Sequence, residues 1–269
     1  MKLWAIADLH IGHARNRALL DSLGHYPDDW LIVAGDAGDT PAQLHAALTA
    51  LTARFARVVW VPGNHELWTP RQLADAQRGQ THYERLVTLC RRLGVVTPED
   101  PFPVWPGEGP PRLIVPMFLL YDYSFGPLGL DATAAVAWAE AAGLRSADED
   151  LLSPAPFPSR TAWCHHRVAS TRARLETLPA SHRLVLINHF PLRQDLAVLP
   201  RIPRFSIWCG TRLTDDWHQR FSVDAVVYGH LHLRQSRVLQ GVRFEEVSLG
   251  YPHQWMPGRT LDSYLRRIL

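Results

Sequence analysis

Short, continuous apolar runs alternate along the chain with segments of helical periodicity. Six runs rich in Val, Ile, Leu and Trp are present: residues 3–7, 30–35, 57–63, 112–121, 183–188 and 224–229. Runs without polar alternation are typical of strands buried on both faces, as in a sheet covered by helices. A weaker segment, residues 237–251, has Gly241 between two alternating arms and predicts a late hairpin.

The segments between these runs carry helix signals. Thr40 is a candidate N-cap with Pro41 at the first helical position, which predicts a helix over residues 40–55. Three more helices are predicted from cap residues, closing glycines or an amphipathic pattern: residues 83–94, 131–143 and 163–178. Strand-like runs resume after each Pro-rich stretch. We therefore predict one layered α/β domain over residues 1–269.

Composition narrows the class of protein. The chain has 46% hydrophobic and 20% charged residues, ordinary values for a globular domain. A net charge of +2 does not indicate nucleic-acid binding. The three scattered cysteines form no CxxC pair, and no apolar run reaches the length of a membrane span. We expect a cytoplasmic protein that binds neither nucleic acid nor a membrane.

Five of the apolar runs are followed by side chains that bind metals. The candidate ligands are, in chain order, Asp8, His10, Asp36, Asn64, His189, His230 and His232. In an extended chain, residues i and i+2 point to the same side, so the DxH and HxH pairs should each converge on one point. Ligand sites in α/β proteins lie beyond the carboxyl ends of the strands. The pattern therefore places all seven at one edge of one sheet.

The chemistry of this set favours two divalent cations. It contains carboxylates, an amide and imidazoles but no thiolate, which suits manganese, iron or zinc. Seven ligands are too many for one tetrahedral ion, but they fit two ions about 3.5–4 Å apart that share a carboxylate. Asp36, alone between the other motifs, is the predicted bridge. Gly63 is expected to provide an unusual backbone conformation just before Asn64. Each motif alone could instead be a helix cap or a turn.

The ordered motifs DxH, GD, GNHE, NH and GHxH, spread over residues 8–232, resemble those of the calcineurin-like metallophosphoesterase superfamily. The resemblance implies a two-sheet β-sandwich flanked by helices and a site for two divalent ions, manganese and/or iron, with zinc as an alternative. One ion would be held by Asp8, His10, Asp36 and His232, and the other by Asp36, Asn64, His189 and His230. His65 would be the catalytic residue near the leaving group.

Other stretches, among them PDDWLIVAGD, VVWVPGNHELWT and GVRFEEVSLGYP, resemble the 4′-phosphopantetheinyl hydrolases of actinobacteria. That resemblance implies an acyl or peptidyl carrier protein as substrate, from which the phosphopantetheine arm is removed by a metal-activated hydroxide. The leaving serine oxygen needs a proton, so an acid at His65 should accelerate the reaction about 10²–10⁴-fold. Alternatives left open are a phosphodiesterase or phosphatase for a small molecule such as a nucleotide, a nuclease, and a protein-binding scaffold.

Three residues are candidate contacts for the substrate. Arg193 follows His189 closely enough to reach a phosphate. Tyr121 and Trp208 are predicted to line a groove for the arm, although aromatic residues at alternate positions are also typical of a core.

Three charged features complete the sequence predictions. The predicted helix over residues 163–178 carries Arg167, Arg172 and Arg174, which could form a docking face for an acidic carrier protein or simply face solvent. We expect Glu66 to be a loop ion pair or a cap and not a catalyst. Asp39 should either support the site or cap the helix that follows it.

Overall fold

A computed structural model describes residues 1–72, 74 and 77–269, and it contains two mixed β-sheets. The strand order of the first sheet is β3 (Phe55–Trp60), β2 (Tyr26–Val33), β1 (Leu3–Ile6), β9 (Arg266–Arg267). The second sheet has the order β4 (Arg112–Pro116), β5 (Arg183–Ile187), β6 (Val223–Tyr228), β8 (Val242–Glu246), β7 (Gln235–Leu239). Strands β1–β3 are mutually parallel, as are β4, β5, β6 and β8, so their carboxyl ends share one edge in each sheet.

Each sheet is buried on both faces, as the continuous apolar runs predicted. Ala5, Ile32 and Val59 of the first sheet form one apolar cluster with Val185 and Val227 of the second. The alternate residues of the same strands belong to a second cluster, which contains the apolar faces of the helices. This period of two identifies the first cluster as the layer between the sheets and the second as the layer under the helices.

The helices are α1 (Ala14–Asp21), α2 (Pro41–Thr52), α3 (Asn64–Leu67), α4 (Gly79–Arg92), α5 (Ala132–Glu140), α6 (Asp148–Leu151), α7 (Arg160–Glu176) and α8 (Trp217–Arg220). The Thr40 cap is confirmed, since its side chain accepts a hydrogen bond from the Gln43 amide at 3.2 Å. Five short elements were not predicted from the sequence: α1, α3, α6, α8 and β9. In the part of the chain that the structure describes, none of the helices has the length and hydrophobicity to cross a membrane.

Two predicted segments end earlier than expected. The hairpin is formed by β7 and β8, with Gln240 and Gly241 both at positive φ, which is the backbone of a two-residue turn between twisted strands. Its second arm stops at Glu246 instead of residue 251. The run over residues 112–121 leaves the sheet after Pro116, and the Leu119 amide donates to the Asn188 side chain at 3.0 Å.

The two sheets are joined where their carboxyl ends meet. The Ala7 amide donates to the Val247 carbonyl at 3.1 Å, and the Leu249 amide donates to the Ala7 carbonyl at 2.8 Å. This short parallel bridge connects the end of β1 to the segment after β8. The candidate ligands therefore lie at the adjoining edges of two sheets, and the prediction of one edge of one sheet is wrong.

The arginines of α7 form neither the docking face nor the solvent-facing surface considered from the sequence, because two of the three point inward. Arg167 is 7% exposed; it donates to the Phe118 carbonyl at 3.1 Å and to Glu99 at 2.6 Å. Arg174 donates to the Asp100 carbonyl at 2.7 Å and lies over the ring of Phe102. Arg172 is exposed. Arg167 and Arg174 therefore fix the loop that precedes β4.

We expect Arg167→Ala to lower the free energy of unfolding by about 2–3 kcal/mol, because it removes the cation that pairs with the partly buried Glu99 carboxylate. The expected cost is below that of a fully buried pair, since Glu99 is 35% exposed and partly screened by water. Chemical denaturation measures the change. Arg172→Ala is the matched control on the same helix and should change stability by less than about 0.5 kcal/mol. Equal effects of the two substitutions would contradict the structural role of Arg167.

Candidate metal centre and active site

Five of the seven predicted ligands sit in the left-handed region of backbone conformation. Their φ angles lie between +42° and +71°: Asp8, His10, Asp36, His230 and His232. The DxH and HxH pairs do converge, but the expected reason was wrong, since the pleat of an extended strand has ended before each pair begins. Non-glycine residues in this region cost about 1–3 kcal/mol each and concentrate at functional sites.

The glycines before the ligands are required by close packing. Gly63 has φ −95° and ψ −176°, an extended conformation open to any residue, so the expected unusual backbone is not found. A Cβ at Gly63 would lie 2.0 Å from the Asp36 Oδ1 atom, and one at Gly229 would lie 2.4 Å from the Asp8 Oδ2 atom. Only glycine leaves room for these two carboxylates.

The predicted ligand atoms form a compact cluster. His232 Nε2 lies 3.1 Å from Asp8 Oδ1 and 3.3 Å from His10 Nε2. His189 Nε2 lies 3.4 Å from Asp36 Oδ2 and 3.2 Å from the Asn64 side-chain oxygen. Three overlapping groups have ligand atoms within 4.8 Å of one another: Asp8, His10, His232; His10, Asp36, His65; and Asp8, Asp36, His189. The structure thus brings the predicted ligands together, with the His230 ring 5.1 Å from that of His189, and Asp8, His10 and Asp36 each belong to two of the three groups.

The cluster has the donors that divalent cations need. Among the described residues, the buried Nε2 atom of His230 has no hydrogen-bond partner, as expected of an atom reserved for a metal. Asp8 and Asp36 are 0% and 2% exposed. Burial alone raises the pKa of Asp36, but the charges of His189 and His65 outweigh burial and hold that pKa well below its usual value. Both carboxylates are therefore ionised and available as ligands.

Hydrogen bonds donated by the Nδ1 atoms of two histidines direct their Nε2 atoms at the metal cluster. His189 Nδ1 donates to the Ala34 carbonyl at 2.9 Å, and His232 Nδ1 donates to Gln254 Oε1 at 2.7 Å. Such partners fix the tautomer of a metal-binding imidazole. The ring of Tyr251 stacks on His10 at 4.6 Å. Gln254 and Tyr251 were missed from the sequence, since they follow the last metal motif and carry no motif of their own.

His65 is held beside the metal cluster by a hydrogen bond and by two ring contacts. Its Nδ1 bonds Asp39 Oδ1 at 2.8 Å, and its ring lies 3.7 Å from the ring of Trp68 and 4.6 Å from that of His10. Burial lowers the pKa of His65, but the Asp36 and Asp39 carboxylates outweigh burial and raise the pKa to about 9. Asp39 thus supports the site, while Thr40 caps α2.

Glu66 is a cap, as predicted. Its carboxylate accepts the backbone amides of Asp36 at 2.9 Å, Ala37 at 2.6 Å and Gly63 at 2.8 Å. The side chain is 1% exposed. Burial and the charge of Asp36 raise the pKa of Glu66 to about 7, against the opposing effect of these amide hydrogen bonds. Glu66 therefore joins two ligand loops without facing the cleft.

Asp148 anchors the site from a distant part of the chain. It is 0% exposed, and its Oδ1 accepts hydrogen bonds from Asn64 Nδ2 at 2.9 Å and from Trp68 Nε1 at 2.7 Å. Because the Asn64 amide nitrogen is engaged, its oxygen must face the metal cluster. Asp148 was missed in the sequence analysis, since no spacing rule connects it with Asn64.

A cleft of about 350 Å³ opens over the cluster. Asn64, His65 and Trp68 line one part of it, while Leu199 and Phe205 line another. None of the three predicted substrate contacts lines this cleft.

Those three residues have other positions in the fold. Tyr121 and Trp208 are 1% and 0% exposed and belong to the core, so the groove role predicted for them is a misassignment. Arg193 is bound to Asp195 at 2.6 Å and to His218 at 2.9 Å.

A cluster of carboxylate, imidazole and amide ligands beside a proton donor, at the carboxyl ends of two packed sheets, defines a metal-dependent hydrolase of phosphoric esters. The chain belongs to the calcineurin-like phosphoesterase family, whose sequence profile matches residues 1–234. The predicted sandwich fold and the predicted enzyme class are both confirmed.

Two comparisons place the chain more closely within that family. It is 52% identical over 269 residues to a protein of Mycobacterium tuberculosis named acyl-carrier-protein phosphodiesterase PptH, covering 99% of this chain and 83% of that protein. The crystal structure of phosphopantetheinyl hydrolase PptH from Mycobacterium tuberculosis superposes with a TM-score of 0.92 at 51% identity, covering 100% of this chain and 95% of that chain.

We expect Asp148→Ala to weaken binding of Mn²⁺ about 10–100-fold, because no acceptor at this position then holds Asn64 with its oxygen toward the metal cluster. Titration of the metal-free protein with Mn²⁺ measures this effect directly. Asp150→Ala, on the same helical turn but 47% exposed, is the matched control and should bind Mn²⁺ like the wild type. Unaltered metal binding in Asp148→Ala would refute the anchoring role.

Proposed function

We propose that this enzyme hydrolyses the phosphodiester between 4′-phosphopantetheine and a serine of an acyl or peptidyl carrier protein, which converts the holo-carrier into its apo form. The observation that carries the proposal is the 52% identity, over nearly the whole chain, to a protein named for that activity. The ligand cluster and the His65 imidazole beside it supply the groups that such a reaction needs.

We propose manganese and/or iron as the two cations, with zinc as the alternative. Support comes from the donor set, which mixes carboxylates, imidazoles and an amide oxygen and contains no thiolate. The three cysteines are buried elsewhere in the fold. When bound, the cations would activate a water molecule and neutralise charge on the phosphoryl oxygens.

His65 would protonate the departing serine oxygen. Its Nδ1 is engaged by Asp39, so the proton to be transferred is the one on Nε2. The rings of Trp68 and His10 both contact the His65 ring and limit its rotation. These contacts suit a general acid, which must keep its donor atom directed at one position.

Incubation of holo-carrier protein with the enzyme and Mn²⁺ should lower the intact mass of the carrier by the mass of the arm. Asp36→Asn is the inactive control, because it removes a shared carboxylate from the ligand set while keeping its shape. A carrier that keeps its arm while a model diester is cleaved would overturn the carrier proposal. That result would instead support a phosphodiesterase or phosphatase acting on a small molecule such as a nucleotide.

His65→Ala should slow hydrolysis of an alkyl diester by about 10²–10⁴-fold, since the alkoxide leaves without a proton donor. Hydrolysis of a p-nitrophenyl diester should change much less, because a phenolate leaves readily without protonation. Rates on the two substrates at saturating Mn²⁺ make the comparison. Equal losses on both would show that His65 acts on the metal cluster and not on the leaving group.

A further inference from the structure

A second cavity adjoins the cleft at a single arginine. Its volume is about 520 Å³, and Arg145 lines both this cavity and the metal-bearing cleft. Among the described residues, three other cavities of similar size share no lining residue with the cleft. The cleft, at about 350 Å³, is near the lower limit for ligand sites of about 300–1,000 Å³, so a phosphodiester with a long substituent needs further space.

We propose that this second cavity, the α5 cavity, is the subsite that receives the pantetheine part of the substrate. The inference rests on the proposed function, in which the group attached to the scissile phosphate is the pantetheine arm. The ligand class is an uncharged chain about the length of pantetheine, with amides, a hydroxyl and methyl groups along it. Arg145 lies on the boundary between this cavity and the cleft over the ligand cluster.

The walls of the α5 cavity fit such a chain. One face of α5 supplies an apolar wall that includes Val136 and Ala137. Another part of the wall is polar, but its charged side chains are already paired. Arg160 donates to Glu149 at 2.8 Å and to the Tyr123 hydroxyl at 3.0 Å. Paired charges offer no net attraction for an ionic ligand such as a nucleotide. Apolar and neutral polar surfaces together suit methyl groups and amides.

Arg145 can open the passage at small energetic cost. It binds Glu140 of α5 and Asp150 of α6, and so lies across the junction between the two cavities. All three side chains are 42–48% exposed. Exposed ion pairs contribute little to stability, so the guanidinium can move aside for the arm or turn toward the phosphate.

A pair of chromogenic diesters tests the subsite without a carrier protein. Both carry p-nitrophenolate as the leaving group; one has a pantetheinyl and the other an ethyl substituent on the phosphate. Water adds to phosphorus and the P–O bond to p-nitrophenolate breaks in each case, so only the substituent differs. The wild type should have a kcat/KM at least about tenfold higher for the pantetheinyl diester.

Ala137→Trp places an indole in the α5 cavity from an exposed helical position. It should remove the preference for the pantetheinyl diester and leave hydrolysis of the ethyl diester unchanged. Ala141→Trp is the matched control, because Ala141 is also an exposed alanine near the end of α5 and does not line the cavity. It should keep the wild-type preference.

Three results would overturn the subsite. They are no preference in the wild type, an unchanged preference in Ala137→Trp, or equal losses on both diesters in that variant. The proposed function fails separately, when holo-carrier protein keeps its arm in the mass measurement. A wild type that prefers the pantetheinyl diester but leaves the carrier intact would keep the subsite and reject the carrier protein as substrate.

Discussion

The carboxylate of Glu66 holds together the two loops on which the metal centre depends. Its oxygens accept three backbone amides, those of Asp36, Ala37 and Gly63, from the ends of two neighbouring strands. Loop amides in a buried position need such partners, because an unpaired one costs about 1–3 kcal/mol. With Glu66 in place, the Asp36 loop and the Asn64 turn have one fixed separation. Asp36, the proposed bridge, and Asn64, a proposed ligand, are then positioned before any cation binds.

The strained backbone of the ligands is supported in the same way, from neighbouring strands. The Asp8 amide donates to the Gly35 carbonyl at 2.9 Å and the His10 amide to the Asp36 carbonyl at 3.0 Å. The Asp8 side chain in turn accepts the His230 amide at 3.0 Å and the Ser248 hydroxyl at 2.6 Å. Asp8, His10 and His230 are thus held by contacts from other strand ends. The apolar layer between the sheets keeps those ends in register, so the fold offsets the local strain.

Sequence reasoning recovered the parts of the site that are encoded locally. A strand followed by a metal-binding side chain is a short-range pattern, so the seven candidate ligands and the cap at Glu66 were predictable. Asp148 was not, because its contact with Asn64 spans 84 residues and depends on how the segment between β4 and β5 folds back. The misassignment of Tyr121 has another cause. Alternating aromatic residues look the same in a sequence whether they line a groove or fill a core.

The short helix α6 contacts both the ligand cluster and the wall of the second cavity. Asp148 holds Asn64 and Trp68, while its neighbour Glu149 bonds Arg160 and the buried Trp208 at 2.8 Å each. Asp150 faces the other way and pairs with Arg145 at the mouth of the cleft. Three consecutive acidic residues therefore make three separate sets of contacts: with the Asn64 turn, with the core, and with the arginine between the two cavities. Since they share one helical turn, a displacement of this turn would move all three sets of contacts together.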